Sequence, residues 1–106
     1  MFIIKRHFEN KICIFLKNDE NTIGEIYSII DKNTCIIVSM NIIKKWRGHG
    51  YGTLLLKTLI EYCKECNINK IELDDMSDNF NKKNNIYIKN GFKYIQKGYP
   101  EMALYL

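Results

Sequence analysis

The stretch that decides the fold runs from Trp46 to Asn67, WRGHGYGTLLLKTLIEYCKECN. Gly48, Gly50 and Gly52 fall within five positions, and a helical repeat starts immediately after them. Gly52, Leu55, Leu56, Leu59, Ile60 and Cys63 recur at i, i+3, i+4, i+7, i+8 and i+11, while Thr53, Lys57, Glu61 and Lys64 fall on the other side. That is the period of an amphipathic helix, expected to end near Asn67. Glycines let the preceding turn reach positive φ and approach a ligand closely, and the N–H groups of a helix start attract phosphate. Arg47 on the rim, with Lys44 and Lys45 beside it, adds charge that pairs with phosphate oxygens.

Upstream of this stretch the chain reads as β-structure. Phe2–Ile4 and Ile12–Leu16 are short apolar runs that predict a hairpin, and Ile23–Ile30 and Thr34–Ile43 are β-branched runs joined by Asp31-Lys32-Asn33. Four strands in an antiparallel meander are expected, with no helical period before Trp46. Downstream, Lys70–Asp74 is strand-like and Asp75–Asn85 is polar. A short helix is expected around Asn84–Asn90, closed by Gly91 after its C-cap. Phe92–Gln96 and Met102–Leu106 then predict two last strands around Gly98-Tyr99-Pro100.

At 106 residues the chain has the length of one domain, residues 1–106, and its 46% apolar and 26% charged composition is that of a globular core-former. No apolar run approaches the roughly 20 residues that span a bilayer, and no cleavable leader is legible at Met1–Phe8, so a cytoplasmic protein without membrane contact is expected. The four cysteines are expected to be reduced, and Cys63-Lys64-Glu65-Cys66, with no second pair, predicts core packing and no metal site. The net charge of +4 forms no basic stripe, which argues against a nucleic-acid partner.

The glycine turn lacks the Gly-Lys-Ser/Thr end of a P-loop and the glycine spacing of a dinucleotide fingerprint. It resembles motif A of the GNAT superfamily of acyl-CoA-dependent N-acetyltransferases, [Arg/Gln]-x-x-Gly-x-[Gly/Ala], through Arg47, Gly50 and Gly52. Tyr87-Ile88-Lys89-Asn90-Gly91-Phe92 resembles the Tyr-x-x-x-Gly-Phe signature that closes the family's next helix. The likeness covers about residues 11–106. It implies a three-layer α/β (α+β) fold with a mixed, mostly antiparallel splayed sheet of six to seven strands and two main helices. Two departures accompany it. Residues 1–46 hold no pair of helices, which implies an open acceptor side, and Phe80 and Lys83 stand where the family tends to have Asn and Ala.

The resemblance implies acetyl-CoA lying between the strands Thr34–Ile43 and Lys70–Asp74 and giving its acetyl group to a primary amine by direct attack in a ternary complex. The backbone of Asn41, Ile42 and Ile43 would meet the pantetheine. Arg47, Gly48, His49, Gly50, Tyr51, Gly52 and Thr53 would meet the pyrophosphate, with Asn79 also on the cofactor side and Tyr87 the acid toward the CoA sulfur. Acylation needs the amine deprotonated and the thiolate protonated. Strand alternation puts Glu72 and Asp74 on one face as candidate bases, with Asp75 and Asp78 following. The acceptor is expected to be a small-molecule amine or a protein lysine or N-terminus, drawn by this acidic lip, and a homodimer through the sheet edge or the last strands is expected. An inactive CoA-binding module is the alternative.

Overall fold

The computed structural model describes residues 1–75 and 85–106. Seven strands, β1 (Phe2–Phe8), β2 (Lys11–Lys17), β3 (Thr22–Asp31), β4 (Thr34–Ile42), β5 (Lys70–Asp74), β6 (Lys93–Tyr94) and β7 (Glu101–Tyr105), form one sheet in the order β1-β2-β3-β4-β5-β7-β6. The helices are α1 (Tyr51–Glu65) and α2 (Ile86–Lys89). Every neighbouring pair is antiparallel except β4 and β5, which run parallel because α1 crosses over between them. No helix among the described residues is long and apolar enough to cross a membrane.

The alternation of β2 builds one wall of the core. Ile12, Ile14 and Leu16 are buried while Cys13 and Phe15 between them are only half-buried. Ile26 of β3, Cys35 and Ile37 of β4 and Ile71 and Leu73 of β5 extend that wall, and α1 lays Leu55, Leu56, Leu59, Ile60 and Cys63 against it. These are five of the six positions the helical period selected; the sixth, Gly52, serves a different purpose described below. Leu59 has no exposed surface, so Leu59→Ala is expected to lower unfolding free energy by about 2–5 kcal/mol, read as a fall in urea midpoint at constant slope.

The structure corrects several sequence boundaries. β1 runs on to Phe8, since the register Lys5↔Ile14 to Phe8↔Lys11 carries polar side chains along an exposed sheet edge and Glu9 (φ 55) tightens the hairpin. A 3-10 turn at Lys44–Trp46 precedes the glycines, where no helical turn was expected. β6 shrinks to two residues because Phe92 is buried in the core instead of standing in the ladder. α2 spans only Ile86–Lys89, and the expected start at Asn84 lies outside the described residues. Of the Cys-x-x-Cys pair, Cys63 is buried but Cys66 is exposed at the C-cap of α1. A hydrogen bond shared with Cys35, and then burial, push the Cys63 thiol well up.

Candidate active site

β4 and β5 touch over only three residue pairs, Thr34↔Lys70 to Ile36↔Glu72, although β4 stays paired with β3 as far as Ile42. The reason lies one step further along. Tyr27 faces Ser39 and Ser28 faces Ile37, so Val38 is an extra residue in β4. Such a bulge bends its strand and ends regular pairing. Past Ile36, therefore, β4 turns away from β5 and the sheet opens.

The opening holds two adjoining clefts that share Ile37, Val38, Leu73 and Asp74. The larger, about 410 Å³, is lined further by Glu72, Ile95 and Glu101, and the smaller, about 160 Å³, by Ser39, Met40, Asp75 and Tyr87. Asp74 is exposed and lines both. Glu72 is half-buried and pairs with Lys70 at 2.7 Å, a bond that raises the Lys70 pKa. Asp75, expected as part of an acidic lip, is instead buried.

Tyr87 is placed by local chemistry. Asn85 caps α2, its side-chain oxygen accepting from the Tyr87 and Ile88 N–H groups. Gly91, at φ 94, reverses the chain so that the Phe92 N–H donates to the Tyr87 carbonyl at 3.0 Å. The Phe92 ring then meets Tyr87 edge-on, centroids 5.8 Å apart. The spacing of Tyr87, Gly91 and Phe92 is thus the spacing of one capped turn. Burial, then the Asp75 charge, raises the pKa of the Tyr87 phenol, so it carries its proton at neutral pH.

At the other end of the opening, Gly48 and Gly50 both take φ 82, and Gly50 is the N-cap of α1. A Cβ on either would meet nothing within 4 Å, so conformation and not crowding requires glycine there. Intrahelical acceptance starts with the Leu54 N–H, which reaches the Gly50 carbonyl at 3.1 Å. The N–H groups of Tyr51, Gly52 and Thr53 lie in the turn before it, where a helix has no acceptors of its own. Gly52 needs its small size: a Cβ would lie 3.1 Å from the Ile86 terminal methyl and 3.7 Å from Met40 Cε. This is where α1 meets α2.

Arg47 folds back so that its Nε donates to the Ile42 carbonyl at 2.9 Å, tying the glycine loop to the end of β4. The Ile43 N–H is taken by the Ile23 carbonyl at 2.8 Å, and Asn41 pairs with Glu25. Of the three backbone positions expected beside pantetheine, Ile42 and Ile43 therefore each already have one group engaged within the protein. His49 is exposed and meets Trp46 and Tyr51 at centroid distances of 6.3 and 5.8 Å. Asn79, with Asp78, Phe80 and Lys83, lies outside the described residues. Asn85, Tyr94, Glu101 and the buried state of Asp75 were missed in the sequence; only Asn85, a favoured N-cap residue before an apolar turn, carried a legible signal.

A parallel pair opened by a bulge, with a glycine-capped helix at one end and Tyr87 lining the opening, is the frame of this site. The family model for the Acetyltransferase (GNAT) family matches residues 1–92. The chain belongs to that family. Among solved structures, it is similar to a GNAT-family acetyltransferase from Staphylococcus aureus Mu50, at 28% identity and TM-score 0.76, over 92% of this chain and 68% of that one. It also resembles the ribosomal-protein-S18-alanine N-acetyltransferase from Escherichia coli, at 15% identity and TM-score 0.78, covering 93% and 71% of the two chains. The PaiA N-acetyltransferase from Thermoplasma acidophilum, solved in complex with coenzyme A, matches at 19% identity and TM-score 0.74, over 92% and 62%. No curated protein matches the chain.

Proposed function

We propose that this chain is an N-acetyltransferase that moves the acetyl group of acetyl-CoA to a primary amine by direct attack within a ternary complex. The observation that carries the reading is the opening between β4 and β5, with Tyr87 lining one side and the glycine-capped α1 at its end. The pyrophosphate lies against the N–H groups of Gly48 to Thr53, with Arg47, His49 and Tyr51 around it. The pantetheine follows β4 along Asn41, Ile42 and Ile43 into the gap. The amine attacks the thioester carbonyl, and Tyr87 donates its proton to the departing CoA sulfur.

Asp74 takes the amine's proton through a water, being the carboxylate common to both clefts. Glu72, engaged with Lys70, shapes the potential together with Glu101. Three carboxylates beside the apolar Ile36, Val38 and Ile95 suit an acceptor that carries positive charge on a short apolar stem, whether a small polyamine-like molecule or a lysine or N-terminus of a protein.

Thermal unfolding with and without acetyl-CoA tests the reading. A ligand held only by the folded state at ~100 times its dissociation constant adds about 2.7 kcal/mol, roughly 10 °C in a domain of this size. Arg47→Glu is expected to start from a somewhat lower midpoint, having lost its bond to the Ile42 carbonyl, and to gain little from acetyl-CoA. An unmoved wild-type midpoint at millimolar acetyl-CoA refutes the proposal. Stabilisation without turnover on any amine of a broad panel would leave a CoA-binding module.

A further inference from the structure

Asp75 sits just past β5 with only 3% of its surface exposed, and Asn85 beside it is exposed by 4%. A carboxylate removed from water needs donors around it. Asn85 Nδ2 and Tyr94 Oη both donate to Asp75 Oδ2, the second at 3.3 Å, and the Asp75 N–H donates to the Pro100 carbonyl at 2.8 Å. The other end of the same amide faces α2, where Asn85 Oδ1 accepts from the Tyr87 N–H at 2.7 Å and from the Ile88 N–H at 3.3 Å. A carboxylate only accepts and a backbone N–H only donates, so one orientation of the amide alone satisfies both sides.

We infer that Asp75, acting through Asn85, is a positioning residue for Tyr87, fixing the first turn of α2, and with it the phenol, to the end of β5 beside the opening. A helix of four residues has little stability of its own, so its placement has to come from contacts outside it. The Asn85 bridge is such a contact, and its anchor is a buried charge where a cap alone would need none. The same charge acts on the phenol: with burial, it raises the Tyr87 pKa. The titratable and charged groups lining the cleft at Tyr87, among the described residues, are Asp74 and Asp75 on the β5 side; β4 presents Ile37, Val38, Ser39 and Met40. Tyr94, itself raised by burial and Asp75, reaches the carboxylate from β6. The functional weight of the inference rests on Tyr87 being the proton donor proposed above, while the placement can be measured without any acceptor.

The test is a pH titration of the full chain labelled at tyrosine 13Cζ, with Tyr87→Phe assigning the Tyr87 resonance and exposed Tyr105 as internal reference. Asp75→Asn keeps the shape and removes the charge, and is expected to lower the Tyr87 midpoint by at least about half a pH unit. Asn85→Ser still caps α2 but is too short to bridge to Asp75. It is expected to move the Tyr87 ring resonances away from their wild-type positions as the edge contact with Phe92 loosens. A cap or core role alone would leave the Tyr87 midpoint and ring shifts where they are, whatever it does to stability, and that result overturns the inference. Should Asp75→Asn not fold, Asn85→Ser decides by the ring shifts. Wild-type turnover in Tyr87→Phe, by contrast, would refute the proton-donor reading whatever the titration shows.

Discussion

Tyr87→Phe is expected to cut kcat by about 10²–10⁴ on whichever amine the wild type acetylates, with the acetyl-CoA stabilisation of the folded state unchanged. The substitution removes one oxygen and leaves the ring that packs edge-on against Phe92, so the turn closed by Gly91 stays as it is. What is lost is the proton for the departing thiolate. The pH dependence carries the same signature. With its pKa raised by burial and by Asp75, the Tyr87 phenol keeps its proton to higher pH than an exposed tyrosine does. The alkaline fall in wild-type kcat should therefore lie above the pH at which an exposed tyrosine ionises, and in Tyr87→Phe that limb should vanish. Steady-state rates over an alkaline pH series read both effects, and equal kcat in the two proteins would remove Tyr87 from the chemistry.

Gly52 separates into two outcomes that size alone decides. Gly52→Ala puts a methyl 3.1 Å from the Ile86 terminal methyl, the flexible end of a side chain, and a shift of a few tenths of an ångström relieves it. That variant should fold with nearly wild-type stability and keep most of its acetyl-CoA binding. Gly52→Leu cannot be absorbed so cheaply, because the added carbons must displace Ile86 and Met40 together. Overpacking of this kind costs about 1–3 kcal/mol, and here the displacement is directed at α2, which carries Tyr87. The acetyl-CoA dissociation constant is expected to rise at least about tenfold, with kcat falling as well, measured by calorimetric titration and by rate. A Gly52→Leu protein with wild-type affinity and turnover would show that the approach of α1 to α2 does not matter to the site. The position is thus expected to accept one added carbon and not four.

A second glycine has the same character and no motif to announce it. A Cβ on Gly24 would lie 3.0 Å from the Asn41 carbonyl oxygen and closer still to the Ile42 side chain, against the very end of β4 that leads into the glycine loop. Nothing in the sequence around Thr22–Glu25 distinguishes it from an ordinary strand glycine.

Much of the architecture was legible because it is written in local periods. The spacing of Leu55, Leu56, Leu59, Ile60 and Cys63 specifies a buried helical face, the alternation along Ile12–Leu16 specifies a strand with one side inward, and Lys70–Asp74 was delimited to the residue. The glycine turn and the Tyr87–Phe92 turn were legible for the same reason, since each is a backbone device completed within six residues. The sequence by itself therefore determined the order of elements, the family and the position of Tyr87 within its turn.

The tertiary structure alone decided which charged groups are buried and where the sheet opens. The bulge at Val38 depends on the register β4 adopts against β3, set by pairs 9 and 12 positions apart with no local mark. Asp75 reads as one more acid in a polar stretch, and becomes a buried anchor only when Asn85 and Tyr94 converge on it from 10 and 19 residues away. Glu72 and Asp74 share a face by alternation, but the ion pair with Lys70 and the shared wall of two clefts distinguish them. Periodicity reports which side of an element faces inward, because that is a property of one segment's geometry. Burial of a particular charge is a property of several segments meeting, and its free energy is settled only when the donors around it have been brought into place.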